Sequence, residues 1–72
     1  MEIDLKLAEQ ALREALEHFP QFTAFQPRLV WRPLAQGGAF MLDYAQHPPR
    51  DTPGVWDFQN AAVKGYKRLA GI

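Results

Sequence analysis

Apolar and polar side chains alternate along one stretch, Arg28 to Ala45, RLVWRPLAQGGAFMLDYA. That period of two predicts two strands, over 28–35 and 39–45, folded back on each other. Gly37-Gly38 suits a two-residue primed turn, which needs positive φ. A turn there pairs Gln36 with Ala39, Leu34 with Met41, Arg32 with Asp43 and Trp31 with Tyr44. Opposite charges and two aromatics would meet across the ladder. One face then carries Leu29, Trp31, Pro33, Phe40, Leu42 and Tyr44, and this is the expected core face. Trp31 is its largest side chain, expected to contribute about 3–5 kcal/mol as a buried aromatic. The other face carries Val30, Arg32, Leu34, Ala39, Met41, Asp43 and Ala45.

The flanking segments have helical spacing. Leu5, Ala8, Leu12, Ala15, Leu16 and Phe19 recur in steps of three and four, which predicts a helix over 4–19. Asp4 is the expected N-cap, with Ile3 before it, and Pro20 ends the helix at Phe19. A second stripe, Val55, Phe58, Ala62, Tyr66 and Leu69, predicts a helix over 57–70. Gly65, on its margin, would allow close approach to the sheet. Gly71 is placed to close the helix in the left-handed conformation. Thr52 or Asp57 would cap its start, and a short third strand over 54–57 is the alternative reading. Phe22 and Phe25, in the proline-bracketed stretch 20–27, are expected to plug the gap between helix and sheet.

Pro33 carries a topological consequence. Counting from a two-residue turn, it falls in a non-hydrogen-bonded pair opposite Leu42, so its missing N–H faces away from the partner strand. The first strand is therefore a sheet edge, and a further strand would add beside residues 39–45. The expected fold is a single α+β domain over 1–72, ordered α-β-β-α, with both helices on one face of the hairpin. That order resembles, in architecture alone, the double-stranded RNA-binding domain and the small head–tail joining proteins of tailed phages. The first of these families grips phosphates with lysines at the start of its last helix. Here that position reads Asp57-Phe58-Gln59-Asn60-Ala61-Ala62.

Composition narrows the chemistry. The 72 residues include no cysteine and no serine, so the two commonest nucleophiles are missing, and no disulfide supplements the core. The only hydroxyls are on Thr23, Thr52, Tyr44 and Tyr66. His18 and His47 lie far apart in sequence, which is a weak metal signal. His47, Arg50 and Asp51 share a loop, but Pro48 and Pro49 hold it extended and splay the side chains. No catalytic residue, cofactor or metal is expected. Nothing is apolar enough to span a membrane and the N-terminus lacks a signal-peptide layout, so a cytoplasmic location is the expectation.

Net charge is zero but divided. The first twenty residues hold five acids against two bases, and the remainder holds six bases against three acids. Arg50, Lys64, Lys67 and Arg68 form a candidate nucleic-acid surface on the basic last helix and the loop before it. The stronger expectation is a non-enzymatic protein-binding module: an adaptor, assembly factor or inhibitor of the kind phages and mobile elements encode. Two helices on one side of a hairpin leave Val30, Arg32, Leu34, Met41 and Asp43 on the other; an exposed apolar patch marks a contact site, and the alternative is that Phe22, Phe25 or Trp56 folds over this face as a second small core. A larger protein partner is expected, with a second copy of the chain as a further candidate.

Overall fold

The computed structural model describes residues 2–35 and 37–72. The order is a helix α1 (Leu5–His18), a 3-10 turn (Pro20–Phe25), strands β1 (Pro27–Leu34) and β2 (Gly37–Tyr44), and a helix α2 (Val55–Ala70). This is a small α+β domain whose helices pack against an antiparallel two-stranded hairpin.

Local chemistry explains the helix ends. The Asp4 carboxylate accepts hydrogen bonds from the N–H groups of Lys6 and Leu7, at 3.0 and 3.2 Å. These satisfy two of the donors that a helix start leaves unpaired. Phe19 leaves helical geometry before Pro20. Gly71 adopts φ 75°, and its N–H and that of Ile72 both bond to the carbonyl of Lys67. The start of α2 departs from expectation. Neither Thr52 nor Asp57 caps it; Gly54 does so with φ 83° and no side-chain bond. Thr52 is occupied in the preceding turn, where its hydroxyl donates to the Pro49 carbonyl at 2.7 Å. The helix begins at Val55, so residues 55–57 are helical and the hairpin has no third strand among the described residues.

The two helices run antiparallel. Phe19 lies against Phe58 at one end of the pair, and at the other the Asp4 N–H donates to the Tyr66 hydroxyl at 3.0 Å. Between them Ala8, Ala11 and Ala15 of α1 meet Ala62 and Tyr66 of α2 in the buried cluster. Gly65 faces Ala11 rather than the sheet, so the close approach it permits is between helices. Small residues on both sides let the axes approach each other, and Leu12 and Leu16 pack against the buried cluster.

The stretch 20–25, expected as a connector, forms the 3-10 turn and delivers Phe22 to the centre of the core. Phe22 is fully buried and stacks on Phe58 with ring centroids 4.7 Å apart. Phe25 tilts against Phe22 from the outer side of that stack. Gln26 ends the turn at φ 52°, a left-handed conformation unusual for a residue with a side chain.

The hairpin register differs from the Gly37-Gly38 turn. Leu34 pairs with Gly37, so Gly37 and Gly38 belong to β2 rather than to the turn. Gln36, expected opposite Ala39, lies outside the described residues; Ala39 pairs with Arg32. Pro33 opposes Gly38 rather than Leu42, and Trp31 opposes Phe40 rather than Tyr44. Leu34 does not face Met41, which pairs with Val30.

Two physical reasons favour the observed register. A turn at Gly37-Gly38 would run Pro27 and its neighbours against residues 45–48, and Pro48 cannot donate to a ladder. The observed register pairs every residue of β1 with one of β2, and it sets the buried Leu29 against the buried Leu42. It also places Gly38 under Trp31, where a Cβ would come within 1.7 Å of the indole. Gly38 is therefore a platform for an aromatic ring, while Gly37, at φ 122°, supplies the backbone freedom.

The shift leaves each side chain on its expected face, because it moves the pairing by an even step. Leu29, Leu42, Phe40 and Tyr44 all belong to the core or pack against it. Trp31 and Pro33 are the exceptions, because the hairpin extends past the helices near its turn: Trp31 is half-buried over Gly38, Pro33 is exposed, and neither is part of the helix–sheet core.

Candidate functional site

The outer face of the hairpin is built by residues that alternate with the core positions. Val30 and Met41 form a cross-strand pair at its centre. Leu34 extends it toward the turn and is 56% exposed. None of Val30, Leu34, Ala39 or Met41 is buried, and none packs against the buried cluster. The aromatic side chains that might have covered this face lie elsewhere. Phe22 and Phe25 are engaged in and around the core, and Trp56 projects from the first turn of α2 with 73% exposure.

One ionic cluster crosses this face. Asp43 sits opposite Arg28 in the ladder, yet its hydrogen-bond partner is Arg32, four residues further along β1. To reach it, the Arg32 side chain extends diagonally along the strand past the Val30–Met41 pair. Arg28 stands 4.0 Å from the same carboxylate oxygen. The Arg32 hydrogen bond holds the Asp43 carboxyl below its usual range. Partial desolvation opposes that effect, and the charges of Arg32, Arg28 and His47 reinforce it. The guanidinium of Arg32 is stabilised in turn, chiefly by the same hydrogen bond. The face thus offers apolar side chains with an arginine and a carboxylate already oriented. Methionine and arginine are enriched at protein contacts, and aliphatic stems of arginine cover apolar surface.

The basic residues do not form one patch. Arg50 lies in the turn before α2, whereas Lys64, Lys67 and Arg68 lie in its C-terminal half. At 1.5 Å per residue, Val55 and Lys67 are about 18 Å apart along the axis. Arg68 donates to Glu14 of α1 at 2.7 Å. Lys67 sits over the ring of Phe40, 5.9 Å from its centroid. Lys64 lines a groove between the helices that also contains Glu14 and His18. The acidic and basic segments therefore neutralise each other where α1 and α2 meet.

The loop histidine makes a different contact from the one its neighbours suggest. His47 is exposed, with its ring tilted against Tyr44 at 5.8 Å. Among the described residues, no three histidine or carboxylate side chains are grouped as a metal site would need. Among the described residues, no helix is long and apolar enough to cross a membrane.

Two exposed apolar side chains escape the sequence patterns. Leu5 belongs to the apolar stripe of α1 but is 71% exposed, because the stripe outruns the surface it packs on. It borders a hollow of about 80 Å³ with Leu12, Arg28 and Leu29. Trp56 lies off the apolar stripe of α2, and that position is the signal of its exposure. Compared with protein-family models, curated proteins and solved structures, the chain matches none.

Proposed function

We propose that this chain is a non-enzymatic protein-binding module that occupies a surface of a larger protein through the outer face of its hairpin. The observation that carries this reading is the open apolar strip of Val30, Leu34 and Met41, crossed by the Arg32–Asp43 pair. Such a strip is costly to leave in water and is compact enough for a docking site on a domain of this size. Arg32 supplies directional hydrogen bonding at the centre of the contact, where arginines often dominate binding energy. Adaptor, assembly-factor and inhibitor roles all use a rigid small domain in this way, and a cytoplasmic setting suits a chain without cysteine.

The second reading is nucleic-acid binding by Lys64 and Lys67 with Arg50. It draws on the basic half of α2, but Arg68 is already engaged by Glu14. A binding constant that falls steeply with salt would favour it, with a log–log slope of roughly −0.9 per phosphate neutralised.

The test is comparative capture from an extract of the source cells, with the unmodified chain and the Leu34→Asp variant as baits. Leu34 is exposed and contributes little to folding, so circular dichroism of the variant should be unchanged. The expected result is a stoichiometric protein partner with the first bait and its loss with the second. A partner retained by Leu34→Asp would contradict the reading.

A further inference from the structure

We infer that β2 pairs antiparallel with β2 of a second copy of this chain, about a two-fold axis that passes at Met41. The inference begins with hydrogen-bond parity. Pro27 and Pro33 have no N–H to give the ladder, and they pair with Tyr44 and Gly38 in the same phase, so those are non-hydrogen-bonded pairs. Hydrogen-bonded pairs alternate along an antiparallel ladder. The inward-bonded pairs are therefore Arg28–Asp43, Val30–Met41, Arg32–Ala39 and Leu34–Gly37. The remaining residues point their backbone groups out of the hairpin.

The two edges are not equivalent. On β1 the outward residues are Pro27, Leu29, Trp31 and Pro33, so half of that edge has no donor. On β2 they are Gly38, Phe40, Leu42 and Tyr44, and each retains its N–H. These groups bond to no turn, loop or cap among the described residues. A complete, unblocked strand edge is a template for another strand.

β2 fits its own edge. An axis at Met41 sets Gly38 opposite Tyr44 of the second copy and Phe40 opposite its Leu42, so every outward residue finds a partner. Moving the axis one residue either way leaves Tyr44 or Gly38 beyond the other strand. On the outer face, Met41 meets Met41 of the second copy in a non-hydrogen-bonded pair. Asp43 meets Ala39, so the carboxylates of the two copies stay apart and Arg32 keeps its partner. Apolar Phe40 and Leu42 meet on the inner face. The chain carries no net charge, so two copies associate without long-range repulsion. The product is a four-stranded sheet in which the outer apolar strips of both copies become continuous. A foreign strand would use the same edge, but β2 itself already has the required pattern of donors and apolar side chains.

The inference does not depend on a larger partner, and Leu34 lies outside the proposed pairing, so the two readings fail separately. The test uses the absence of cysteine from the chain. Sedimentation equilibrium of the unmodified protein should give twice the monomer mass. Met41→Cys should then form a disulfide under mild oxidation at least about tenfold faster than Val30→Cys. Non-hydrogen-bonded partners stand about 4.5 Å apart at Cα, within reach of a disulfide, while Val30 lies one strand further from the axis. A monomer mass up to about 100 μM, a concentration that would saturate a micromolar dimer, would overturn the inference. So would equal cross-linking rates in a dimer.

Discussion

The two faces of the hairpin come from the same sixteen residues, yet they meet opposite environments. The inner face sets Leu29 against Leu42 beneath the helices and leaves both almost without solvent contact. The outer face sets Val30 against Met41, one residue away along each strand, and leaves both partly in water. Packing decides what the inner face tolerates. On the outer face, an ion pair stretched over an aliphatic strip leaves room for a partner. The lesson is that strand alternation partitions stability from contact at single-residue resolution.

The contact between Gly38 and Trp31 is where the inner face ends, and it should give the largest of three further effects. Gly38→Ala would drive a methyl into the indole, at a cost of about 1–3 kcal/mol for forced repacking. In a Trp31→Ala background the same substitution should cost only a few tenths of a kcal/mol, since the obstruction is gone. Equal costs in both backgrounds, measured by urea unfolding, would place Trp31 elsewhere. Trp31→Ala alone should cost about 2 kcal/mol, below the range for a fully buried aromatic.

A smaller gain is expected at Tyr44. Its hydroxyl oxygen is buried without a partner among the described residues, and burial raises its pKa. Tyr44→Phe should stabilise the fold by about 1 kcal/mol, the penalty of an unsatisfied polar group. The sign for pH follows from the raised pKa. The neutral hydroxyl is the favoured form when folded, so its contribution is complete below the ordinary tyrosine pKa and is lost as pH rises through the raised one. Tyr44→Phe should remove that alkaline dependence.

The smallest effect concerns Asp43 on the outer face. Its depressed pKa means that the pair with Arg32 contributes fully above the ordinary carboxylate range. The contribution fades as pH falls through the folded value. A proton titration followed by NMR should place Asp43 below the ordinary aspartate value, and Arg32→Ala should raise it. An unchanged midpoint would show that Arg32 does not hold the carboxylate in solution.

Much of this comparison was legible in the sequence. Alternation assigned both faces, and helical spacing located α1 and α2. The register was not legible, because alternation constrains pairing only to even steps. Gly37-Gly38 drew the turn toward itself, since glycine serves a tight turn and a close ring contact equally well. The structure uses Gly38 for the second purpose. The position of Phe22 between two prolines points to a gap-filler, but its stacking on Phe58 at the centre of the core has no periodic signal in that stretch. The start of α2 was obscured because Gly54 caps it through backbone geometry, without a side chain that a pattern could reveal. At the outer face, alternation points to the partnership of Arg32 with Asp43, but as directly opposed residues rather than a diagonal reach.

The partition between faces is tested most directly by paired unfolding measurements on Leu29→Thr and Val30→Thr. These neighbours lie in one strand, receive the same side chain and keep a residue suited to strands. Leu29→Thr should cost about 2–4 kcal/mol, through a cavity and a buried hydroxyl. Val30→Thr should cost less than about 0.5 kcal/mol, as expected for a surface substitution. Equal losses, or a larger loss at Val30, would contradict the assignment of the outer face as open.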